Sequence, residues 1–229
     1  MNLKLYALSG TDRTRPFSPH VWKVKLALAH KGLPHEVEAV GFTQIPKLEG
    51  GATKTVPLLR DGERLVIDSF AIALHLDEAY PDRPSLFKGE AGRALARFVE
   101  AWSQTTLHPA VTRIALLDIH DMLDAEDRQY FRESREARFG MPLETFVAAR
   151  SEEIKAFSSK LEPLRHMLKV QPFIGGDAPL FADYIVFGAL QWLRITSRAD
   201  VLAADDPVSL WFERCLDLYD GLGRSVRAA

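Results

Sequence analysis

Two serines stand where helices are expected to begin, and each could hold an anion. Ser18 directly precedes Pro19, and Ser69 directly follows Asp68. Serine and aspartate are favoured helix N-caps, and proline is favoured at the first helical position. The N–H groups and the dipole of a helix N-terminus attract negative charge. A serine hydroxyl at such a position could therefore donate a hydrogen bond to a thiolate or a carboxylate.

A third feature, Val56-Pro57, lies between the two serines and precedes an apolar run. A peptide bond before proline can adopt the cis form. A cis bond here would turn the backbone of Val56 outward, where it could pair with an extended peptide as an added strand does. Taken alone, each of the three features is typical of a helix cap or an ordinary turn. Their joint placement is what favours a binding site.

The elements that would position these residues follow from the hydrophobic periods. Alternation and short apolar runs predict strands, and apolar spacing of three or four residues predicts helices. The predicted elements are a strand over 3–8, a loop over 9–17, a helix from Ser18 to Lys31, a strand over 35–40, a mostly irregular loop over 41–54, a hairpin of 56–59 and 65–67 around Asp61-Gly62, and a helix over 70–80. The order β-α-β-β-α suits one small mixed sheet with helices.

Beyond this unit the pattern is helical. Pro81, Pro84 and Gly89 mark a linker, which we place at 83–91, between a domain at 1–82 and an all-helical domain at 92–229. Apolar spacing predicts helices that start near Leu95 and that cover 146–168, 181–195 and 208–222.

Composition excludes several function classes. The 229 residues carry a formal charge of −2 and no dense basic cluster, so no nucleic-acid partner is expected. The longest apolar stretch, between Asp183 and Arg194, is far shorter than the ~20 residues of a membrane span, so no membrane partner is expected. One cysteine, Cys215, and no Cys/His ligand spacing indicate no metal and a reducing, cytoplasmic setting. No export signal is recognisable at the N-terminus.

A β-α-β-β-α unit joined to a helical domain resembles the glutathione transferase fold, an α/β thioredoxin-like N-terminal domain plus an all-α C-terminal domain. The resemblance implies glutathione as cosubstrate, with Ser18 as the catalytic residue that donates to its thiol. One such hydrogen bond, worth about 1.5–3 kcal/mol, would lower the thiol pKa by about one to two units. The glutathione-binding residues that it implies are Ser18, Gln44, Lys54, Val56, Pro57, Asp68 and Ser69.

Further motifs resemble the etherase-like glutathione transferases, which include the bacterial β-etherases. They include Ser18-Pro19-His20-Val21-Trp22, Gly41-Phe42-Thr43, residues 74–84, Asp127-Arg128-Gln129-Tyr130, Ser134-Arg135-Glu136 and Phe181-Ala182-Asp183-Tyr184. By this resemblance the thiolate attacks a small hydrophobic or aromatic electrophile, in β-etherases at a carbon that bears an aryloxy group, and the protein is a homodimer. The expected acceptor-pocket residues are His20, Trp22, Trp102, Thr106, His108, Arg113 and Leu117. Core packing is the alternative for the apolar and aromatic members.

Other interpretations of the function stay open at this point. A transferase homologue that binds glutathione or a hydrophobic ligand without catalysis would keep the same pocket, and a glutathione-dependent isomerase would return its glutathione unchanged. Leu180 stands where the family usually has a capping side chain before Asp183, so neighbouring groups must compensate. The segment with Arg128, Arg132 and Arg135 is typical of a solvated or ion-paired face rather than an anion site.

Overall fold

A computed structural model describes residues 3–229 as a small sheet with two helices followed by a helical array. The strands are β1 Leu3–Leu8, β2 His35–Val40, β3 Leu58–Asp61 and β4 Arg64–Ile67. The helices are α1 Pro19–His30, α2 Ser69–Ala79, α3 Glu90–Trp102, α4 His108–Asp121, α5 Ala125–Phe139, α6 Leu143–Phe146, α7 Arg150–Phe157, α8 Glu162–Met167, α9 Phe181–Thr196, α10 Pro207–Leu216 and α11 Leu218–Gly221. Within residues 3–229, none of these helices has the length and apolarity that crossing a bilayer requires.

The sheet has the order β2-β1-β3-β4 and confirms the predicted β-α-β-β-α unit. β1 pairs in parallel with β2, with Leu5 opposite Val37, and antiparallel with β3, with Leu5 opposite Leu59. β3 and β4 form the predicted hairpin. The parallel pair requires a crossover, and α1 supplies it. The start of α1 is thereby placed at the end of the central strand β1.

Helix α9 is the centre of the helical part and packs directly on α1. All but two of its sixteen residues are buried. The edge of the Trp22 ring meets the Phe187 ring, with centroids 6.1 Å apart. A Cβ atom at Gly188 would lie only 2.5 Å from the carbonyl oxygen of Pro19. Gly188 therefore allows α9 to approach the first turn of α1 closely.

The loop predicted over 41–54 is wrong in part, because Phe42–Gly50 forms a 3₁₀-helix that is interrupted near its end. The carboxylate of Asp127, on α5, accepts the N–H groups of Phe42 at 2.9 Å and of Thr43 at 2.8 Å. These bonds satisfy N–H groups that a helix start leaves unpaired. The stabilising group is about 85 residues away along the chain, so the local sequence pattern could not reveal it.

The helical part differs from the prediction in detail. The single helix predicted over 146–168 is replaced by α7, a 3₁₀ turn at Ser158–Leu161 and α8. A π-helical turn, Ser103–Leu107, joins α3 to α4. The helix predicted over 181–195 is confirmed as α9, whereas the one predicted over 208–222 ends as a regular helix at Leu216.

Leu180 provides no side-chain cap, and backbone carbonyls accept first-turn N–H groups of α9 instead: Leu86 accepts that of Phe181 at 2.9 Å and Leu180 that of Asp183 at 2.9 Å. Asp183 holds the segment that precedes the helix. Its carboxylate accepts the N–H groups of Ile174 at 2.7 Å, Gly175 at 2.9 Å and Leu180 at 3.0 Å, and the indole N–H of Trp211 at 3.1 Å. Burial raises the pKa of this carboxyl, although all four donors favour its charged form. One buried side chain thus ties the start of α9 to the preceding loop and to α10.

Lys31, at the end of α1, joins α2 and the interdomain segment through Asp77. Its ammonium lies 2.9 Å from Asp77 Oδ1, and the two side chains are only 1% and 8% exposed. Asp77 also accepts the Leu86 N–H and the Ser85 hydroxyl, both at 2.9 Å. Burial acts to raise the pKa of Asp77, but these hydrogen bonds outweigh it and the pKa is lowered.

Asp77→Asn is expected to cost about 1.5–3 kcal/mol of unfolding free energy at pH 7, because Lys31 loses its charged partner. Because the pKa of Asp77 is lower in the folded protein than in the unfolded one, the Asp77 carboxylate stabilises the fold at pH values above its unfolded-state pKa. This contribution is lost as the pH falls through its folded-state pKa. The difference between wild type and variant should therefore narrow below about pH 5. Urea unfolding of both proteins at a series of pH values from 7 downward measures this difference in unfolding free energy. Glu78→Gln, at an exposed neighbour, is the control, and a pH-independent cost would contradict the assignment.

Candidate functional site

Ser18 caps α1, as predicted, and faces a cavity. Its Oγ accepts the Val21 N–H at 3.4 Å, a long hydrogen bond, and the residue is only 5% exposed. The hydroxyl hydrogen has no acceptor within residues 3–229, and Ser18 lines the cavity. A donor that is buried, unused and placed at the positive end of a helix is suited to an anion.

Several contacts hold Ser18 at this position. The Phe17 N–H donates to the Leu8 carbonyl at 3.1 Å, which ties the residue before Ser18 to the end of β1. The Trp22 indole donates to the Pro16 carbonyl at 2.9 Å, and the Trp22 side chain is fully buried. Trp22 therefore supports the helix start from behind. It does not line the cavity, in contrast to its predicted place in an acceptor pocket.

The peptide bond between Val56 and Pro57 is cis, as the sequence suggested. The ladder between β1 and β3 begins at Leu58, so Val56 lies outside the paired part of the sheet. The β1–β3 ladder therefore does not use its backbone N–H and C=O, and an extended ligand could pair with them.

Asp68 and Ser69 form the start of α2. Asp68 has a left-handed backbone with φ of 77°, which is uncommon for a residue with a side chain and recurs at functional sites. Its Oδ1 accepts the N–H groups of Phe70 and Ala71, both at 2.9 Å, and its Oδ2 makes no hydrogen bond within residues 3–229. Ser69 Oγ is buried and has no partner within the same residues. Buried hydroxyls normally have partners, so Ser69 has unused capacity for a ligand.

Gln44 and Lys54 flank this region without lining the cavity. Gln44 Oε1 accepts the Gly41 N–H at 2.7 Å, at the start of the 3₁₀-helix, which leaves the side-chain amide N–H groups for other partners. Lys54 is exposed in the turn before Val56. Contact of either residue with a ligand stays a prediction.

The cavity beside Ser18 has a volume of about 400 Å³ and lies between the start of α1, α4, α5 and α9. Of the predicted acceptor residues, His20 and His108 line it. Trp102, Thr106 and Leu117 are half-buried but lie outside the lining. Arg113 is also outside the lining, with its guanidinium 5.0 Å from the ring centre of Phe146, which lines the cavity.

The two histidines, His108 buried and His20 half-buried, have ring centroids 5.1 Å apart. Burial lowers the pKa of His108 to about 4, and burial and Lys23 lower that of His20 well below its usual value. Lys23 itself lies 2.8 Å from both carboxylate oxygens of Glu100. Both imidazoles are therefore neutral at pH 7, and Nε2 of His108 has no partner within residues 3–229.

The sequence prediction missed most of the cavity wall. Besides aliphatic and polar residues of β1, α1 and α4, the wall includes these aromatic and cationic side chains: Phe42, Phe131, Phe139, Phe146, Trp192, Arg135 and Arg138. Three of them, Phe131, Arg135 and Phe139, recur every fourth residue on α5. This spacing puts them on one helix face and was the available signal. No group of three His, Cys, Asp or Glu residues that could hold a metal ion occurs within 3–229.

Comparison with known proteins agrees with this architecture. Residues 14–84 match the family described as glutathione S-transferase, N-terminal domain, and residues 94–218 match glutathione S-transferase, C-terminal domain. A curated relative, the glutathione S-transferase-like protein ustS of Aspergillus flavus, is 28% identical over 216 residues, which cover 81% of this chain and 76% of the relative.

Two solved structures have the same fold. Glutathione transferase GSTFuA3 from Phanerochaete chrysosporium is 24% identical with a TM-score of 0.75, and the match covers 99% of this chain and 94% of that one. The glutathione S-transferase CsGST83044 of Ceriporiopsis subvermispora, in complex with glutathione, is 22% identical with a TM-score of 0.72, over 99% and 96% of the two chains. At such low identity these structures establish the fold alone.

Proposed function

Because the chain belongs to the glutathione S-transferase family, we propose that it binds glutathione beside the start of α1 and transfers the thiolate to a small hydrophobic or aromatic electrophile. The observation that carries the proposal is the Ser18 hydroxyl, a buried donor with no acceptor within residues 3–229, at a helix N-terminus that faces the cavity. The residues 1–82 would hold the tripeptide, and 92–229, after a linker at 83–91, would complete the acceptor site.

Each charged group of glutathione is assigned to a residue of complementary charge or hydrogen-bonding capacity. Ser18 would donate its hydroxyl to the glutathione sulfur and so favour the thiolate, with help from the dipole of α1. The unpartnered Ser69 hydroxyl and the N-terminus of α2 suit the γ-glutamyl carboxylate, and the free oxygen of Asp68 suits the γ-glutamyl ammonium. The Val56 backbone, outside the sheet ladder, would pair with the cysteinyl unit.

The acceptor reaction would take place in the aromatic cavity. The thiolate attacks the electrophilic carbon, a carbon–sulfur bond forms, the bond to the leaving group breaks, and the thiol proton goes to solvent. The chain need supply only orientation and thiolate activation. Cleavage of a β-aryl ether, in which a phenolate leaves, is the specific reaction that the etherase-like motifs favour. A screen of aryl ethers, aryl halides, isothiocyanates and peroxides with glutathione would identify the class.

The homodimer is also a proposal at this stage. It is supported by two large apolar side chains on α3 that point into solvent, Phe98 at 72% exposure and Leu95 at 41%. Such exposed apolar groups favour contact with a second protein surface.

The proposal is tested by retention on immobilised glutathione and by the ultraviolet absorbance of thiolate when glutathione is added at pH 7. Both signals are expected. Ser69→Ala is expected to weaken glutathione binding by about tenfold, the effect of about one hydrogen bond to a charged group, while the pKa of the bound thiol stays the same. Glutathione binding without a thiolate signal would favour the non-catalytic alternative. Turnover that forms no thioether would favour an isomerase. Absence of both retention and thiolate absorbance would reject glutathione chemistry.

A further inference from the structure

The cavity beside Ser18 contains positive charge and no negative charge. Arg135 and Arg138 line it, and none of its lining residues within 3–229 is Asp or Glu. The two histidines in the lining do not add charge at pH 7, because burial lowers the pKa of His108 to about 4 and that of His20 well below its usual value. The charge of the cavity therefore comes from two guanidinium groups.

Arg135 is a half-buried cation without a carboxylate partner within residues 3–229. Its guanidinium lies 4.6 Å from the Phe131 ring centre and 5.1 Å from that of Phe42. It donates to Ser134 Oγ at 3.0 Å and to no other described group. Burial lowers the pKa of Arg135, the direction expected for a cation whose charge is not balanced nearby. An arginine nevertheless stays charged at neutral pH.

Two other arginines of α5, Arg132 and Arg128, have different surroundings. Arg132 pairs with Glu136 at 3.0 Å and with Glu144 at 2.9 Å, which confirms the predicted ion-paired face for this residue. Arg128 donates to the carbonyls of Asp121 and Leu123 at the surface. For Arg135 that prediction is wrong, because its side chain turns toward the aromatic cavity wall instead of toward acidic groups.

We propose that the acceptor substrate is an aromatic electrophile that carries a carboxylate or a similar anion, with the anion bound by Arg135 and the ring held among Phe139, Phe146 and Trp192. The inference rests on the proposed function and specifies its substrate class. A guanidinium presents parallel N–H groups that match a carboxylate in two-point contact. The aromatic walls suit a planar ring, and Arg138 adds charge of the same sign.

A matched pair of substrates tests this assignment. 4-Fluoro-3-nitrobenzoate and 4-fluoro-3-nitrobenzamide undergo the same substitution by glutathione: the sulfur bonds to C4, fluoride leaves, and the thiol proton is released to buffer. Each kcat/KM is divided by the uncatalysed rate constant, which removes their different intrinsic reactivity. The wild type is expected to prefer the anionic substrate by about tenfold or more.

Arg135→Gln is expected to abolish this preference and to leave the KM for glutathione within about twofold. Arg132→Gln is the matched control on the same helix and should keep the preference. Arg135→Met, with an unbranched apolar chain that can still pack on Phe131 and Phe42, should repeat the result if the glutamine variant does not fold. Retention of the preference in folded Arg135 variants, or its absence in the wild type, would overturn the proposal.

Two other outcomes are informative about the source of the anion. If Arg135→Gln raises the KM for glutathione and slows both substrates equally, Arg135 binds a carboxylate of the tripeptide and the acceptor assignment is rejected. Calorimetry with unreactive 3-nitrobenzoate and 3-nitrobenzamide separates this inference from the proposed function. One outcome is that 3-nitrobenzoate binds more tightly than 3-nitrobenzamide, that Arg135→Gln removes this difference, and that glutathione gives no thiolate signal. This outcome supports the anion site and rejects only the transferase proposal. Equal binding with a normal thiolate signal rejects only the anion site.

Discussion

Ser18→Ala is expected to raise the pKa of bound glutathione thiol by about one to two units, because one hydrogen bond to a charged acceptor contributes about 1.5–3 kcal/mol and one pKa unit corresponds to about 1.36 kcal/mol. If the wild-type thiol is about half ionised at pH 7, the thiolate fraction, and with it kcat/KM, should fall by about 5- to 50-fold. The affinity for glutathione should change little, since the groups proposed to hold the tripeptide's charged ends stay in place. Thiolate absorbance of the complex, titrated against pH, measures the shift.

Ser18→Thr is the control for this experiment, because threonine keeps the hydroxyl and also caps helices. Its thiol pKa should lie near the wild-type value. The alanine variant also loses a helix cap, worth about 1 kcal/mol, so urea unfolding must show that it is folded under assay conditions. An unchanged thiol pKa in folded Ser18→Ala would mean that the backbone N–H groups of α1, and not the hydroxyl, ionise the sulfur.

Asp183→Ala is expected to reduce the free energy of unfolding by about 3–5 kcal/mol. The substitution leaves four donors without an acceptor, namely the buried N–H groups of Ile174 and Leu180, the buried Trp211 indole and the partly buried N–H of Gly175. A buried donor that loses its partner costs about 1–3 kcal/mol unless water reaches it. Chemical denaturation with tryptophan fluorescence measures the loss.

Asp177→Ala provides the matched control, because Asp177 lies in the same loop but is exposed. Its effect should stay within about 0.5 kcal/mol. A cost for Asp183→Ala below about 1.5 kcal/mol would contradict the prediction and would mean that water replaces the carboxylate. Because α9 packs on the first turn of α1, a large loss should also weaken thiolate formation at temperatures near the unfolding midpoint.

The fold of the N-terminal part was readable from the sequence for a local reason. Alternating residues in 3–8 and the apolar stripe of Val21, Val24 and Leu28 specify a strand and a helix without help from distant segments. The 3₁₀-helix at Phe42–Gly50 could not be predicted from the sequence, since its first N–H groups donate to the carboxylate of Asp127, which belongs to α5. Periodicity reports the burial of a face and says nothing about which distant polar group will cap it.

The site shows the same division. The sequence showed the helix N-termini at Ser18 and Asp68-Ser69 and the Val56-Pro57 bond, because helix caps and X-Pro bonds are local features. Most of the cavity wall was not visible in the sequence, and Trp22 does not line the cavity. On α1 the positions of Trp22 and His20 are two residues apart and face different neighbours, so His20 lines the cavity whereas Trp22 supports the helix from behind.

Sequence alone determined the βαββα unit, the helical remainder, the two helix starts that can receive anions and the family resemblance. Tertiary structure decided which side chains share the cavity, that the Leu86 carbonyl accepts the first N–H of α9, and that Arg135 faces aromatic rings while Arg132 pairs with carboxylates. The physical reason is the sequence separation of the interacting residues. Caps and periods depend on neighbours within one or two turns, whereas the charge balance of a cavity depends on segments far apart in the chain that only folding brings together.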